Sequence, residues 1–255
     1  MTHLTAATSD GDTRETREFA RETKFLVRPD DADRLRAWAR TWLPPDPHGA
    51  GPKGDEYRTA TLYFETEGLD VFHRRGSFGR SKFRIRRYGA ADVIFLERKL
   101  RTDGVVVKRR TRLPIVDLDR LTAEPDRAWP GHWFHKRLVK RALRPTCDVS
   151  YRRLARVGMT ASGPIRLTID DQLSAQPVSD IRVGSSVSAM PVLDGELILE
   201  LKYFGGMPAM FRRIVERLGL EPAPVSKYRL SLASLGRAGA HATPADALVS
   251  RGESR

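Results

Sequence analysis

The stretch Ser81–Gly89, SKFRIRRYG, places Lys82, Arg84 and Arg86 at every second position with Phe83 and Ile85 between them. In an extended chain, successive side chains point to opposite faces, so this segment has one cationic face and one mostly apolar face. Two environments suit such a strand. It can lie at an ordinary protein surface, or its charged face can line a site for a polyanion.

The same period of two governs most of the chain. Arg58–Glu65, Arg80–Tyr88, Asp92–Leu100, Val105–Leu113, Asp148–Leu154, Pro164–Asp170 and Gly195–Tyr203 each alternate in the manner of strands. Helices are predicted at Asp30–Trp42, which has an acidic start and Leu35, Trp38, Ala39 and Trp42 at helical spacing, and around Trp133–Ala142 and Pro208–Leu218. Gly219 follows the last of these as a C-terminal stop. Many antiparallel strands with a few helices make an α+β pattern. Residues 1–16 and 236–255 are poor in large apolar groups and read as disordered tails around one domain spanning 17–235.

Charge narrows the partners. With 45 Lys plus Arg against 32 Asp plus Glu, the formal net charge is +13, which attracts phosphate compounds, nucleic acid or acidic surfaces without choosing among them. The single Cys147 excludes an internal disulfide and a CxxC metal site, and reads as a small buried residue. No segment has the apolar run of a signal peptide or membrane span, so the expected location is cytoplasmic, with no membrane span.

Comparing strand faces favours the polyanion reading. Leu197, Leu199 and Leu201 oppose Glu196, Glu200 and Lys202; Ile165, Leu167 and Ile169 oppose Arg166, Thr168 and Asp170; Lys108, Arg110 and Arg112 share one face. Solvent-facing strands usually mix Thr, Ser, Gln, Lys and Glu, whereas these repeat Arg or Lys and set a few carboxylates beside lysines. Closing such strands into a barrel with the charges inward concentrates positive potential, which is tolerable if an anion of high charge density occupies the interior. Amphipathic helices would then cover the apolar outer face.

The segments RETKF (21–25), TLYFET (61–66), RSKFRIRRYG (80–89), FLERK (95–99), KRR (108–110), SYRRLA (150–155), IRLTID (165–170), LELKYFGGMP (199–208) and SKYRLSL (226–232) resemble, in order, the catalytic domain of the VTC polyphosphate polymerases. That family lies in the triphosphate tunnel metalloenzyme superfamily, beside the CYTH-type enzymes. The resemblance implies a closed antiparallel β-barrel of about eight strands with flanking α-helices. It also implies transfer of the γ-phosphate of ATP to a growing inorganic polyphosphate chain, with Mn²⁺ or Mg²⁺ as cofactor.

Carried over by position, the catalytic roles fall on Arg84, Arg86, Lys99, Arg166 and Lys202, and phosphate binding on Lys24, Lys108, Arg153 and Lys227. Arg80 and Lys82 join the phosphate-binding set because they share a face with Arg84 and Arg86. Glu200 matches the metal-binding carboxylate, with Glu97 and Glu22 as further candidates. The sequence departs from the family pattern at Ala20, two before Glu22, and at Pro224 and Val225, where relatives carry a second lysine before SKY. Such a cage suits phosphoryl transfer, which asks a protein mainly for positioning and charge neutralisation. A tunnel triphosphatase and a non-catalytic polyphosphate-binding module would share it. Nucleic acid is disfavoured as a partner, because aromatic platforms for bases are not arrayed beside the basic residues.

Overall fold

The structure, a computed structural model, describes residues 12–17, 20–49, 53–102, 105–184 and 188–237, with backbone alone at 12–17, 20, 80, 101, 102, 105 and 106. Its strands are β1 (Asp12–Arg17), β2 (Ala20–Val27), β3 (Glu56–Glu65), β4 (Ser81–Tyr88), β5 (Val93–Thr102), β6 (Val105–Pro114), β7 (Arg144–Thr160), β8 (Gly163–Pro177), β9 (Met190–Pro191) and β10 (Leu197–Phe204). The helices are α1 (Pro29–Trp42), α2 (His132–Lys140), α3 (Ala209–Arg217) and α4 (Lys227–Ser234). The chain divides into two compact units, each assembled from three stretches. The first takes Met1–Glu18, Thr59–Val149 and Gln176–Ser188; the second takes Phe19–Arg58, Ser150–Ala175 and Ala189–Arg255.

In the first unit, β4, β5 and β6 form an antiparallel meander, with β3 beside β4 and β1 beside β6. Alternation sends Phe83, Ile85, Ile94, Leu96 and Leu113 to one face, where all are buried. Helix α2 covers this face through Phe134, whose ring centroid is 5.6 Å from that of Phe64 and 5.9 Å from that of Phe83. Each such side chain contributes about 1.5–3 kcal/mol by leaving water, so the apolar half of SKFRIRRYG fixes which way the strand faces. Arg87, also on that side, bends over the end of the hairpin and donates to the carbonyls of Ala90 and Ala91.

In the second unit, β8, β10 and β2 pair antiparallel in that order. Leu197, Leu199 and Leu201 stack with Phe25, Val27, Ile165, Leu167 and Ile169 in a core closed by Leu35 and Ala39 of α1 and Phe211 and Ile214 of α3. Helix α1 has Pro29 at its start, where the missing N–H costs nothing, with Asp30 and Asp31 in its first turn and Arg40 in its last favouring the helix dipole. Arg40 and Arg156 both bond the fully buried Asp55, at 2.9 and 2.6 Å. Helix α4, read from the sequence only as the motif SKYRLSL, starts at Ser226, whose hydroxyl accepts from the Arg229 amide at 3.5 Å.

Strand pairing follows the path β1-β6-β5-β4-β3-β7-β8-β10-β2, with β9 on β8, and no ladder among the described residues joins β1 to β2. The α+β class therefore holds, with nine strands along this path and β9 beside it. Of the expected N-terminal tail, residues 12–16 belong to β1, held by backbone pairing along β6 and not by an apolar pattern. The remainder of that tail, and all but residues 236 and 237 of the C-terminal one, lie outside the described residues.

Candidate functional site

The charged face of the first unit is built by cross-strand register. Lys82 of β4 stands opposite Lys99 of β5, which stands opposite Lys108 of β6. The next row is Tyr63, Arg84, Glu97 and Arg110, and the one after it Thr61, Arg86, Phe95 and Arg112. At the centre lies Glu97, 1% exposed, with Arg84 Nε at 2.7 Å, Arg110 Nε at 2.9 Å and Lys108 Nζ at 3.4 Å. Burial pushes the Glu97 carboxyl up, but Arg84, Arg86, Lys108 and Arg110 outweigh it and hold its pKa well below the usual carboxylate range.

Arg86 is buried and donates from Nε to the Thr61 hydroxyl at 3.2 Å. Arg110, which the family motifs did not single out as a phosphate ligand, lies 3.8 Å from the Phe95 ring centroid and donates to the Tyr88 hydroxyl at 2.8 Å. Burial alone would raise the Tyr88 pKa, yet the guanidinium fields of Arg86 and Arg110 bring it down to about 8. Arg80 ends a short 3-10 turn, Gly76–Arg80, and its side chain lies outside the described residues.

The second unit holds a tighter network. Glu22, Lys202 and Arg166 form one cross-strand row; Lys24, Glu200 and Thr168 form the next. Lys227, delivered by the first turn of α4, places Nζ 2.5 Å from Asp170 and 2.8 Å from Glu200. Arg153 grips Asp170 with two bonds, at 2.5 and 2.7 Å, and reaches Glu200 at 3.7 Å. Lys24 lies 3.0 Å from Glu22 and 3.6 Å from Glu200. Burial lowers the Lys24 pKa, but Glu200 and Glu22 outweigh it and the net shift is upward. For Glu200, burial acts upward and is overcome by Lys227, Lys24, Arg153 and Lys202, leaving its pKa well below the usual range.

The first unit thus brings together Arg84, Arg86, Lys82, Lys99 and Lys108 around Glu97. The second brings together Lys24, Lys202, Lys227, Arg153, Glu22 and Glu200. Arg166 shares a row with Lys202, but its guanidinium pairs with Asp46 at 2.9 Å and donates to the Tyr57 hydroxyl at 3.1 Å. Asp170 was missed as a site residue. Its signal was present in IRLTID, where alternation puts it on the face of Arg166, with a lone carboxylate as the only mark.

Among the described residues no group of three or more His, Cys, Asp or Glu is arranged to hold an ion. Glu200 is surrounded by Lys227, Arg153 and Lys24, and Glu97 by Arg84, Arg110 and Lys108. Glu22 shares the Lys24 ammonium with Glu200. Each of these carboxylates holds guanidinium or ammonium groups in place.

An α+β protein with a cation-rich sheet face in each of its two units is what fold and site define. The chain belongs to the VTC domain family, whose profile matches residues 19–236. Similar solved structures include a candidate adenylate cyclase from Bacillus halodurans, 16% identical, covering 85% of this chain and 96% of that one, with a TM-score of 0.49. A candidate adenylyl cyclase from Hippeastrum with a dominant triphosphatase activity is also 16% identical, with the same coverage and a TM-score of 0.47. A Pyrococcus horikoshii protein is 12% identical over 80% of this chain and 92% of that one, with a TM-score of 0.42. No curated protein matches the chain. Among the described residues, no helix is long and apolar enough to cross a membrane.

Proposed function

We propose that this VTC-domain chain is a polyphosphate polymerase, transferring the γ-phosphate of ATP to a growing inorganic polyphosphate chain. The observation that carries the reading is the Lys82–Lys99–Lys108 row beside Arg84 and Arg110. Like charges directly opposite one another across a ladder are destabilising. Their repulsion is relieved when a chain of phosphates lies along the row, each oxygen meeting an ammonium or a guanidinium fork. Glu97 serves to aim the forks, because its two oxygens fix Arg84 and Arg110 before the anion arrives. Mn²⁺ or Mg²⁺ enters as part of the nucleoside triphosphate substrate. Closure of the sheet into a tunnel and a cytoplasmic location belong to the same proposal.

Incubating the purified protein with ATP and Mn²⁺ or Mg²⁺, then separating products by size, tests it. Long chains with ADP are expected. Free phosphate without chains would replace the polymerase with a triphosphatase, and tight polyphosphate binding without turnover would leave a binding module.

A further inference from the structure

The strands that carry the phosphate-facing rows also carry a basic strip on their opposite face. Arg98 of β5 stands directly across from Arg109 of β6, on the side away from Glu97 and Lys99. The Arg109 guanidinium lies over the Trp133 ring, 4.2 Å from its centroid. Trp133 opens a helical stripe, because Lys136, Arg137 and Lys140 follow at the i+3, i+4 and i+7 positions of α2. That stripe runs about 10 Å along the helix at 1.5 Å per residue. Lys136, Arg137 and Lys140 are exposed, and among the described residues none of the three has an ion pair. The crowding has a neighbour: Arg141, one residue past the stripe, has its pKa lowered by burial and by Arg137.

We propose that this strip, formed by Arg98, Arg109, Trp133, Lys136, Arg137 and Lys140, is a second binding surface for the inorganic polyphosphate chain, outside the transfer site. The inference rests on the polymerase reading for the identity of its ligand. Three features select a phosphate polymer over other polyanions. The apolar side of α2, with Phe134 and Leu138, is buried in the core, which leaves no apolar face to enter a lipid surface. Val139 is the one large apolar side chain of α2 that is strongly exposed. One face of the strip's aromatic ring, Trp133, is already taken by the Arg109 guanidinium, and the strip has no second ring to sandwich a nucleobase. What the strip offers is a run of exposed cations, Lys136, Arg137 and Lys140, along one helical stripe, the charge complement of a polymer with one charge per repeat. A polymerase that holds its product at two places keeps a long chain attached between transfers while a short one leaves, in the manner of linked binding sites.

The test compares wild type with a variant carrying Lys136→Ala, Arg137→Ala and Lys140→Ala, using long-chain inorganic polyphosphate and tripolyphosphate as separate probes. Alanine is a strong helix former and the three positions are exposed, so the fold is expected to persist. Long-chain affinity should fall about tenfold or more, with the salt slope of binding reduced by about 2, as loss of three phosphate contacts dictates. Tripolyphosphate affinity should be unchanged, and the Lys136→Arg, Lys140→Arg variant should bind long chains as wild type does. Unchanged long-chain affinity in the triple alanine variant, or an equal loss for tripolyphosphate, overturns the proposal, as does stronger strip-dependent binding of single-stranded DNA or phosphatidylserine vesicles. A wild-type protein that makes no polymer from ATP, yet loses long-chain binding in the variant, retains the strip and removes only the polymerase reading.

Discussion

Lys227 Nζ stands 2.5 Å from Asp170, a carboxylate with no exposure to solvent that also receives both bonds of the Arg153 fork. One anion therefore positions two cations, and burial of the anion is stabilised only because both are present. Replacing Asp170 by Asn leaves Lys227 and Arg153 facing each other with less compensation. The expected cost is about 3 kcal/mol or more of unfolding free energy, measured by chemical denaturation at neutral pH. A loss under about 0.5 kcal/mol, the range of ordinary surface substitutions, would show that the network is not what holds Lys227.

Acid should unfold the protein partly through Glu97. Its folded pKa is held well below the ordinary carboxylate value, so its stabilising contribution is complete above the unfolded pKa and is lost as pH falls towards the folded one. The affected window begins at about pH 4–5, where unfolded Glu takes up protons, and extends downward. Glu97→Gln should lower stability at neutral pH and flatten the acid limb of a stability–pH curve. A limb of unchanged steepness would locate the acid sensitivity elsewhere.

Tyr88 gives a spectroscopic handle on the first unit. One tyrosine should ionise at about 8 in an absorbance titration, and Arg110→Ala should move that transition upward because a cation favouring the phenolate is gone. Tripolyphosphate should move it upward as well, since an anion among the arginines disfavours a second negative charge. A transition that ignores the anion would place the phosphates away from this face.

Lys99→Ala should act in opposite directions on the free and bound protein. Removing the middle member of the Lys82–Lys99–Lys108 row relieves repulsion, so the unliganded protein should gain up to about 0.5 kcal/mol of stability, the scale of a single cross-strand pair. Tripolyphosphate affinity should fall in the same variant. Isothermal titration together with denaturation separates the two effects, and a variant that loses both would assign Lys99 a structural role.

The sequence carried the sheet because its apolar and charged residues alternate strictly. Phe83 and Ile85 are buried under α2 as that alternation demands, and Lys82, Arg84 and Arg86 share the opposite side. Partners inside the charged faces were less legible. Nothing in a one-dimensional pattern distinguishes Glu200 as a metal ligand from Glu200 as the anchor of Lys24, Arg153 and Lys227, since both need one buried carboxylate beside lysines. Arg110 and Asp170 sit on the expected faces, yet their partners come from other strands and from α4, so only register reveals them. Trp42, which shares helical spacing with Leu35 and Ala39, is 60% exposed as the last residue of α1.

Among the described residues, strand β2 has its one ladder partner in β10, with Val27 set against Leu197. At the usual pace of synthesis, 5–20 residues per second, the ribosome needs roughly ten seconds or longer to cover the roughly 170 residues between them. During that interval Phe25 and Val27 are apolar side chains on a nascent strand without its neighbour. The β2–β10 ladder of the second unit therefore forms late, after β10 has been made.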